Sequence, residues 1–372
     1  MDELAVKLGM DPLELRRLND SPVVPSSKLP WSGKHLQECY RVGAEMFGWS
    51  RRVPAPGSVL DGEWLVGIGM ATATYGASRA QATVKVRLQA DGTATASGTG
   101  ADLGTGQSTV WAMLLAGSLG IPVRRARADL GDSASPVAAN AGGSGSTSTN
   151  GLAVQLAAEA AKTAMIRLAV QDGRSPFHGM DPATVRFEDG RLKAGARSVR
   201  FESLLTSLDV PGVEATATSP KNAVKDHGFR SFGAHFCEVR VNRWTAEPRV
   251  SQWLTVVDAG TIVNTTTARN QIMGGVVMGI GQALLEETRI EPGSGRFANA
   301  NLADYLVPVN ADIPHIDVHF LDYPDTLLSP LGARGIGEFG IVGAAGAVAN
   351  AVYNATGRRV RDLPITLDKL LR

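Results

Sequence analysis

Glycine places the strongest constraint on this chain. Its 372 residues include 42 glycines, gathered at 98–106, 142–151, 274–281 and 332–346, with apolar runs flanking each cluster. No collagen-type period links them, and the flanking apolar runs argue against disorder. Glycines gathered between regular elements mark loops where the backbone turns sharply or something approaches it closely. A fold for this sequence must therefore build several such loops against its helices.

The last cluster reads "GARGIGEFGIVGAAGAVANAV", Gly332 to Val352. Gly335, Gly337 and Gly340 spell G-x-G-x-x-G, the spacing of dinucleotide phosphate loops. That fingerprint needs a strand running straight into its first glycine. Here the nearest strand-like run, "HIDVHFLDY", ends near Tyr323, and "PDTLLSPLGAR" with two prolines intervenes. Glu338 would also set a carboxylate where a phosphate needs N–H groups. A nicotinamide or flavin site is the weakest reading of the loop. Two others stay open for Glu338. It satisfies the N-terminus of the small-residue helix that follows, or it is a base facing a ligand pressed against the glycines.

Three further segments have the same character. In "DLGTGQST", 102–109, Gly104, Gly106 and the amides after them suit an anion nest, and Gln107 adds an amide that both donates and accepts. No Gly-Lys-Ser/Thr follows, so this is not a P-loop. "NAGGSGSTSTNG", 140–151, is dense in hydroxyls and reads as a phosphate-contacting loop or a flexible linker. It lacks the G-x-S-x-G of a serine hydrolase. "VDAGTIVNTTTARNQIMGG", 257–275, reads as a strand end, a turn and a helix opening near Thr265. Asn264 or Thr265 is its N-cap, and Gln271 lies about two turns in. Together the four suit a large polar cofactor with phosphates, held by backbone and amides and not by cation clusters.

Between these loops, "WLVGIGMATAT", "ATVKVRLQ" and "TATASGTG" read as strands, with Ala90-Asp91-Gly92 as a hairpin turn. "ATVRFEDGRLKAG" is a second hairpin, and the run from Ser231 to Gly260 gives two long strands. "STVWAMLLAGSLG", "LAVQLAAEAAKTAMIRLAVQ" and "QIMGGVVMGIGQALLEET" read as helices. Hairpins mixed with helices predict an α+β fold of mixed and antiparallel sheets with packed helices. The expected organisation is a helical and linker segment over 1–60, a first cofactor-binding subdomain over 61–225 and a second over 226–372. The first twenty residues read as one short amphipathic helix, not a signal peptide.

Hydrophobic residues make up 44% and charged residues 20%, so the chain buries a core. Its 37 basic and 36 acidic side chains give no electrostatic footprint for nucleic acid, and no apolar run reaches membrane-spanning length. Cys39 and Cys237 build neither a disulfide framework nor a zinc site. His315 and His319 lie in a strand-like run, so their spacing does not bring them together on a metal. No protein ligand to a metal is expected.

The C-terminal run from Gly332 through "RDLPIT" resembles the signature of the molybdenum hydroxylases, the xanthine dehydrogenase/aldehyde oxidase family. "DLGTGQST", "GSGSTSTNG" and "VDAGTIVN" with Gln271 resemble three more of its motifs in family order, with Thr265 where the family has proline. The resemblance implies that Glu338 is the catalytic base. It implies cofactor contacts for Gly106, Gln107, Ser144, Ser146, Ser148, Gln271, Gly335 and Gly337. The cofactor implied is molybdopterin with molybdenum, with or without the cytosine dinucleotide extension. The reaction implied is oxidation of aldehydes or N-heterocycles with water-derived oxygen and hydride passing to Mo=S. The family subunit is about twice this length. The resemblance thus implies a complementary N-terminal half, an iron–sulfur subunit, and in some complexes an FAD subunit, with this chain inactive alone. A cytoplasmic location is expected, or periplasmic export through a partner's signal.

Overall fold

The structure, a computed structural model, describes residues 1–371. The chain opens with α1 (Asp2–Leu8), α2 (Pro12–Leu18) and α3 (Leu36–Phe47). The single N-terminal helix expected from the sequence is two, because Gly9 takes φ 63° and closes α1, and Asp11 then caps α2. β1 (Leu60–Asp61) and β2 (Trp64–Gly76) lead to the hairpin of β3 (Ala82–Gln89) and β4 (Ala94–Gly98). α4 (Gln107–Leu119) returns the chain to β5 (Ala126–Leu130). α5 (Ser146–Gln171) leads to a meander of β6 (Arg186–Glu188), β7 (Arg191–Ala194) and β8 (Arg197–Arg200). α6 (Phe201–Ser207), β9 (Gly212–Ser219), β10 (Arg230–Asn242), β11 (Pro248–Asp258) and α7 (Thr265–Leu284) follow. β12 (Ile316–Leu321), α8 (Ala344–Thr356) and α9 (Leu367–Leu371) complete the chain.

The main sheet runs β1-β2-β10-β11-β12. Its long strands are apolar on both faces because both are covered. Ile68, Met70, Phe232, Phe236 and Leu254 meet Leu36, Tyr40 and Phe47 of α3. Ala71, Ala73, Cys237, Trp253 and Val257 meet Ile272 and Val276 of α7 and Ala347, Val348 and Ala351 of α8. Gly67 and Gly69 of β2 let α8 settle backbone against backbone, since a Cβ on either would strike the main chain of Ala347, Ala351 or Ala355. Cys39 and Cys237 are both free and buried in these cores.

The second sheet, β5-β4-β3-β9, buries one face. Ala82, Val84, Val86 and Leu88 alternate inward on β3 against Val110, Trp111 and Leu115 of α4 and Ala157, Ala161 and Met165 of α5. The boundary expected at residue 225 falls between β9 and β10. β2, expected within 61–225, nevertheless pairs along its whole length with β10. Its two apolar faces explain this, since only the doubly covered sheet can bury both.

Both sheets are mixed. β5 lies parallel to β4 and β12 parallel to β11, returned by α4 and α7 respectively. Loops 99–106 and 259–264 therefore leave strand carboxyl ends and enter helix N-termini, the position where open α/β units hold ligands. Among the described residues, no helix is long and apolar enough to cross a membrane.

Candidate cofactor and active site

The glycine loops converge. A cleft of about 460 Å³ is lined by Gln107, Ser144, Ser146, Gln271, Gly335, Gly337 and Glu338, together with Tyr75 and Asn264. Direct contacts tie the loops to one another. The Gly337 N–H donates to Ser144 Oγ at 2.7 Å, and Gln271 Nε2 donates to the Gly337 carbonyl at 2.6 Å. Gly335 lies so close to the 144 turn that a Cβ there would sit 2.6 Å from the Ser144 carbonyl oxygen. Gly106 faces the side chain of Thr267, where a Cβ would sit 2.7 Å from Cγ2. Asn264 caps α7, its Oδ1 accepting from the N–H groups of Thr266 and Thr267 at 3.1 and 3.2 Å. Thr265 in the family's proline position leaves that cap intact.

Behind the cleft lies a buried ionic anchor that sequence reading missed. The Arg334 guanidinium is wholly buried and paired with the wholly buried Asp258 carboxylate. Arg334 Nη1 also donates to the carbonyls of Gly33 and Arg230, each at 2.6 Å. Asp258 accepts further from the His35 N–H at 2.9 Å. The backbones around the pair interlock, with Arg334 N donating to Ala259 O and Thr261 N to Gly332 O. The arginine, set against Asp258 and also 3.8 Å from the buried Asp325 carboxylate, thus fixes the loop after β11 to the loop that carries Glu338. The available signal was a carboxylate closing an apolar strand and an arginine inside a glycine loop.

Glu338 projects into the cleft from the exposed side of this loop. Its one hydrogen-bond partner among the described residues is Tyr75, whose hydroxyl donates to Oε2 at 2.6 Å. That bond to Glu338, with some burial and the nearby negative charge, pushes the Tyr75 phenol up to about 12. Just beyond, the buried His235 ring bridges Thr255 Oγ1 at 2.9 Å and the Val342 carbonyl at 3.0 Å. Burial lowers its imidazole to about 4, so it is neutral and Nε2–H donates to the carbonyl.

Three sequence expectations change. The nest of Gly104 and Gly106 is filled by the chain itself. Asp102 accepts from both glycine amides and from the Ser108 amide and hydroxyl, at 3.0–3.1 Å. Partial burial raises this carboxyl, and those hydrogen bonds outweigh it and hold it below its usual range. The hydroxyl-rich segment is no linker, because α5 begins at Ser146 and Gly142–Ser144 forms a 3-10 turn. Its low helix propensity is overridden by tertiary bonds, such as Asn150 to both backbone groups of Ala139. Ser148 is also turned away from the cleft, donating to the Ser78 and Gly145 carbonyls at 2.8 and 3.1 Å. His315 pairs with Asp317. Among the described residues, no three His, Cys, Asp or Glu side chains converge as a metal site would require.

Known proteins share the sequence and the fold. A family model described as molybdopterin cofactor-binding domain matches residues 42–314. The chain belongs to that family, within the molybdenum hydroxylases. As a molybdopterin cofactor-binding domain, it is similar to the aldehyde oxidoreductase molybdenum-binding subunit PaoC of Escherichia coli K12. The two are 42% identical over all of this chain and 49% of the relative. It is 30% identical to the probable hypoxanthine oxidase XdhD of the same strain, over 99% of this chain and 39% of that one. Quinoline 2-oxidoreductase from Pseudomonas putida 86 shares the fold with a TM-score of 0.80 at 22% identity, over the whole chain and 50% of that structure. The Cu,Mo-CO dehydrogenase shares it with a TM-score of 0.81 at 20% identity, over 99% of this chain and 50% of that one. The molybdopterin cofactor-binding domain described here thus spans about half the length of the relatives it matches.

Proposed function

We propose that the cleft holds the molybdopterin cofactor of a molybdenum hydroxylase that oxidises aldehydes or N-heterocycles, with Glu338 as its base. The observation that carries this reading is the single carboxylate set among interlocked glycine loops. The residues fit the group. Gln107 is 8% exposed and its Oε1 has no hydrogen-bond partner, which suits an N–H donor from a pterin. Gly335 lets the Glu338 loop pack against the Ser144 turn at the cleft wall, where a Cβ would collide with Ser144. Arg334 and Glu338 are the charged residues of the lining, and Arg334 is bound to Asp258. Phosphate oxygens therefore fall to backbone amides and to the hydroxyls of Ser144, Ser146 and Thr147.

When bound, molybdenum supplies the two-electron redox centre. The chain supplies position and proton transfer. Glu338 takes a proton inside the cleft through Oε1, which has no hydrogen-bond partner among the described residues. Gln271 holds the Gly337 carbonyl and so sets the loop beside that carboxylate. The half-length match supports a complementary N-terminal half, with iron–sulfur and FAD subunits accepting the electrons, and activity only in that assembly. The cytoplasm is the proposed location. Oxygen-18 labelling tests the reaction. The assembled protein is expected to place label from water, and none from dioxygen, in the oxidised product. Label drawn from dioxygen, or no oxidation of either substrate class, contradicts the proposal.

A further inference from the structure

We infer that Tyr75 is the positioning residue of the candidate base, holding Glu338 by Oε2 so that Oε1 stays free to receive a ligand's proton. The inference rests on the reading of Glu338 as base.

Tyr75 stands near the carboxyl end of β2, a strand covered on both faces and locked to α8 through Gly67 and Gly69. It lies in register with Ser231 of β10. The buried Ser231 hydroxyl donates to the Gly335 carbonyl at 2.8 Å. Two neighbouring residues on adjacent strands thus hold the segment at both ends, the Ser231 hydroxyl through the Gly335 carbonyl and the Tyr75 hydroxyl through the Glu338 carboxylate. The need for such a strut follows from the loop itself. Glu338 is exposed and follows Gly337, and a free glutamate side chain loses rotamer entropy when it is ordered. Tyr75 is half-buried and stiff, and its bond is short and charge-assisted, which gives it the strength to fix that rotamer. Among the described residues Glu338 is also the one charged group that acts on the phenol, and it keeps the phenol protonated as a donor. Tyr75 therefore orients the carboxylate without competing for its proton.

The test uses the purified assembly with 3-fluorotyrosine in place of Tyr75, followed by fluorine NMR against pH. Its ionisation midpoint is expected at least about one pH unit above that of free fluorotyrosine and is expected to fall back in Glu338→Gln. This readout needs no turnover and no bound metal. In the molybdenum-loaded assembly, Tyr75→Phe is expected to lower kcat by about 10- to 100-fold with KM held within about twofold. Its thermal unfolding is expected to match wild type. Equal midpoints with and without Glu338, or an unchanged kcat in Tyr75→Phe, would overturn the inference. A wild-type assembly with no oxidase activity would instead remove the base reading, and the fluorine midpoint would still decide whether Tyr75 holds Glu338.

Discussion

Glu338→Gln is expected to lower kcat by about 10²- to 10⁴-fold, the usual contribution of a positioned general base. The substitution is close to isosteric and lies on the exposed side of the loop, so the fold has little reason to respond. The contacts that hold the loop, Ser144 with Gly337 N–H, Gln271 with Gly337 O and Ser231 with Gly335 O, all run through backbone and survive the change. Cofactor content is therefore expected to stay at the wild-type level while turnover is lost. Steady-state kinetics beside metal analysis of the same preparation measure both. Full turnover in Glu338→Gln would leave the carboxylate only its structural bond to Tyr75.

The second large effect concerns stability. Arg334→Ala is expected to cost about 3–5 kcal/mol, because it leaves the Asp258 and Asp325 carboxylates buried without their arginine. The carbonyls of Gly33 and Arg230 lose their donor at the same time. Replacing the pair together, as Asp258→Leu with Arg334→Met, is expected to recover part of that loss, since Asp325 and the two carbonyls still lose the guanidinium. The uncompensated charge, more than the missing attraction, makes the single change severe. Denaturant midpoints of the three proteins measure it. A loss below about 1 kcal/mol in Arg334→Ala would mean that the pair is not sealed from water.

Much of this molecule is written in local patterns. β3 follows its alternation from Ala82 to Gln89, and α4 ends at Gly120 with φ 66°. β10 and β11 are joined through "NRWTAEP". What the sequence hides is assembly at a distance. Tyr75 reaches Glu338 across 263 positions, and Asp258 reaches Arg334 across 76. No window of sequence contains either pair. The glycine clusters could be seen as loops, yet which glycines meet which loops depends on two strand–helix connections opening toward one cleft. The nest at Gly104 and Gly106 misled for a related reason. Amides that suit an anion do not reveal whether the anion is a ligand or Asp102, six residues before the last amide it binds. The same limit applies to Ser148, whose hydroxyl suits a phosphate but satisfies a carbonyl of its own chain. Glu338 stands out in the sequence because it is the one carboxylate among the glycines of 332–346.

The central claim is that these loops form one cofactor site. Its most direct test is molybdenum and pterin analysis of the protein purified with the products of its adjoining genes. Molybdenum and pterin in equal amounts, both lowered by Gln107→Leu, are the predicted result. A well-folded assembly free of both, or one that carries a nicotinamide dinucleotide in their place, would contradict it.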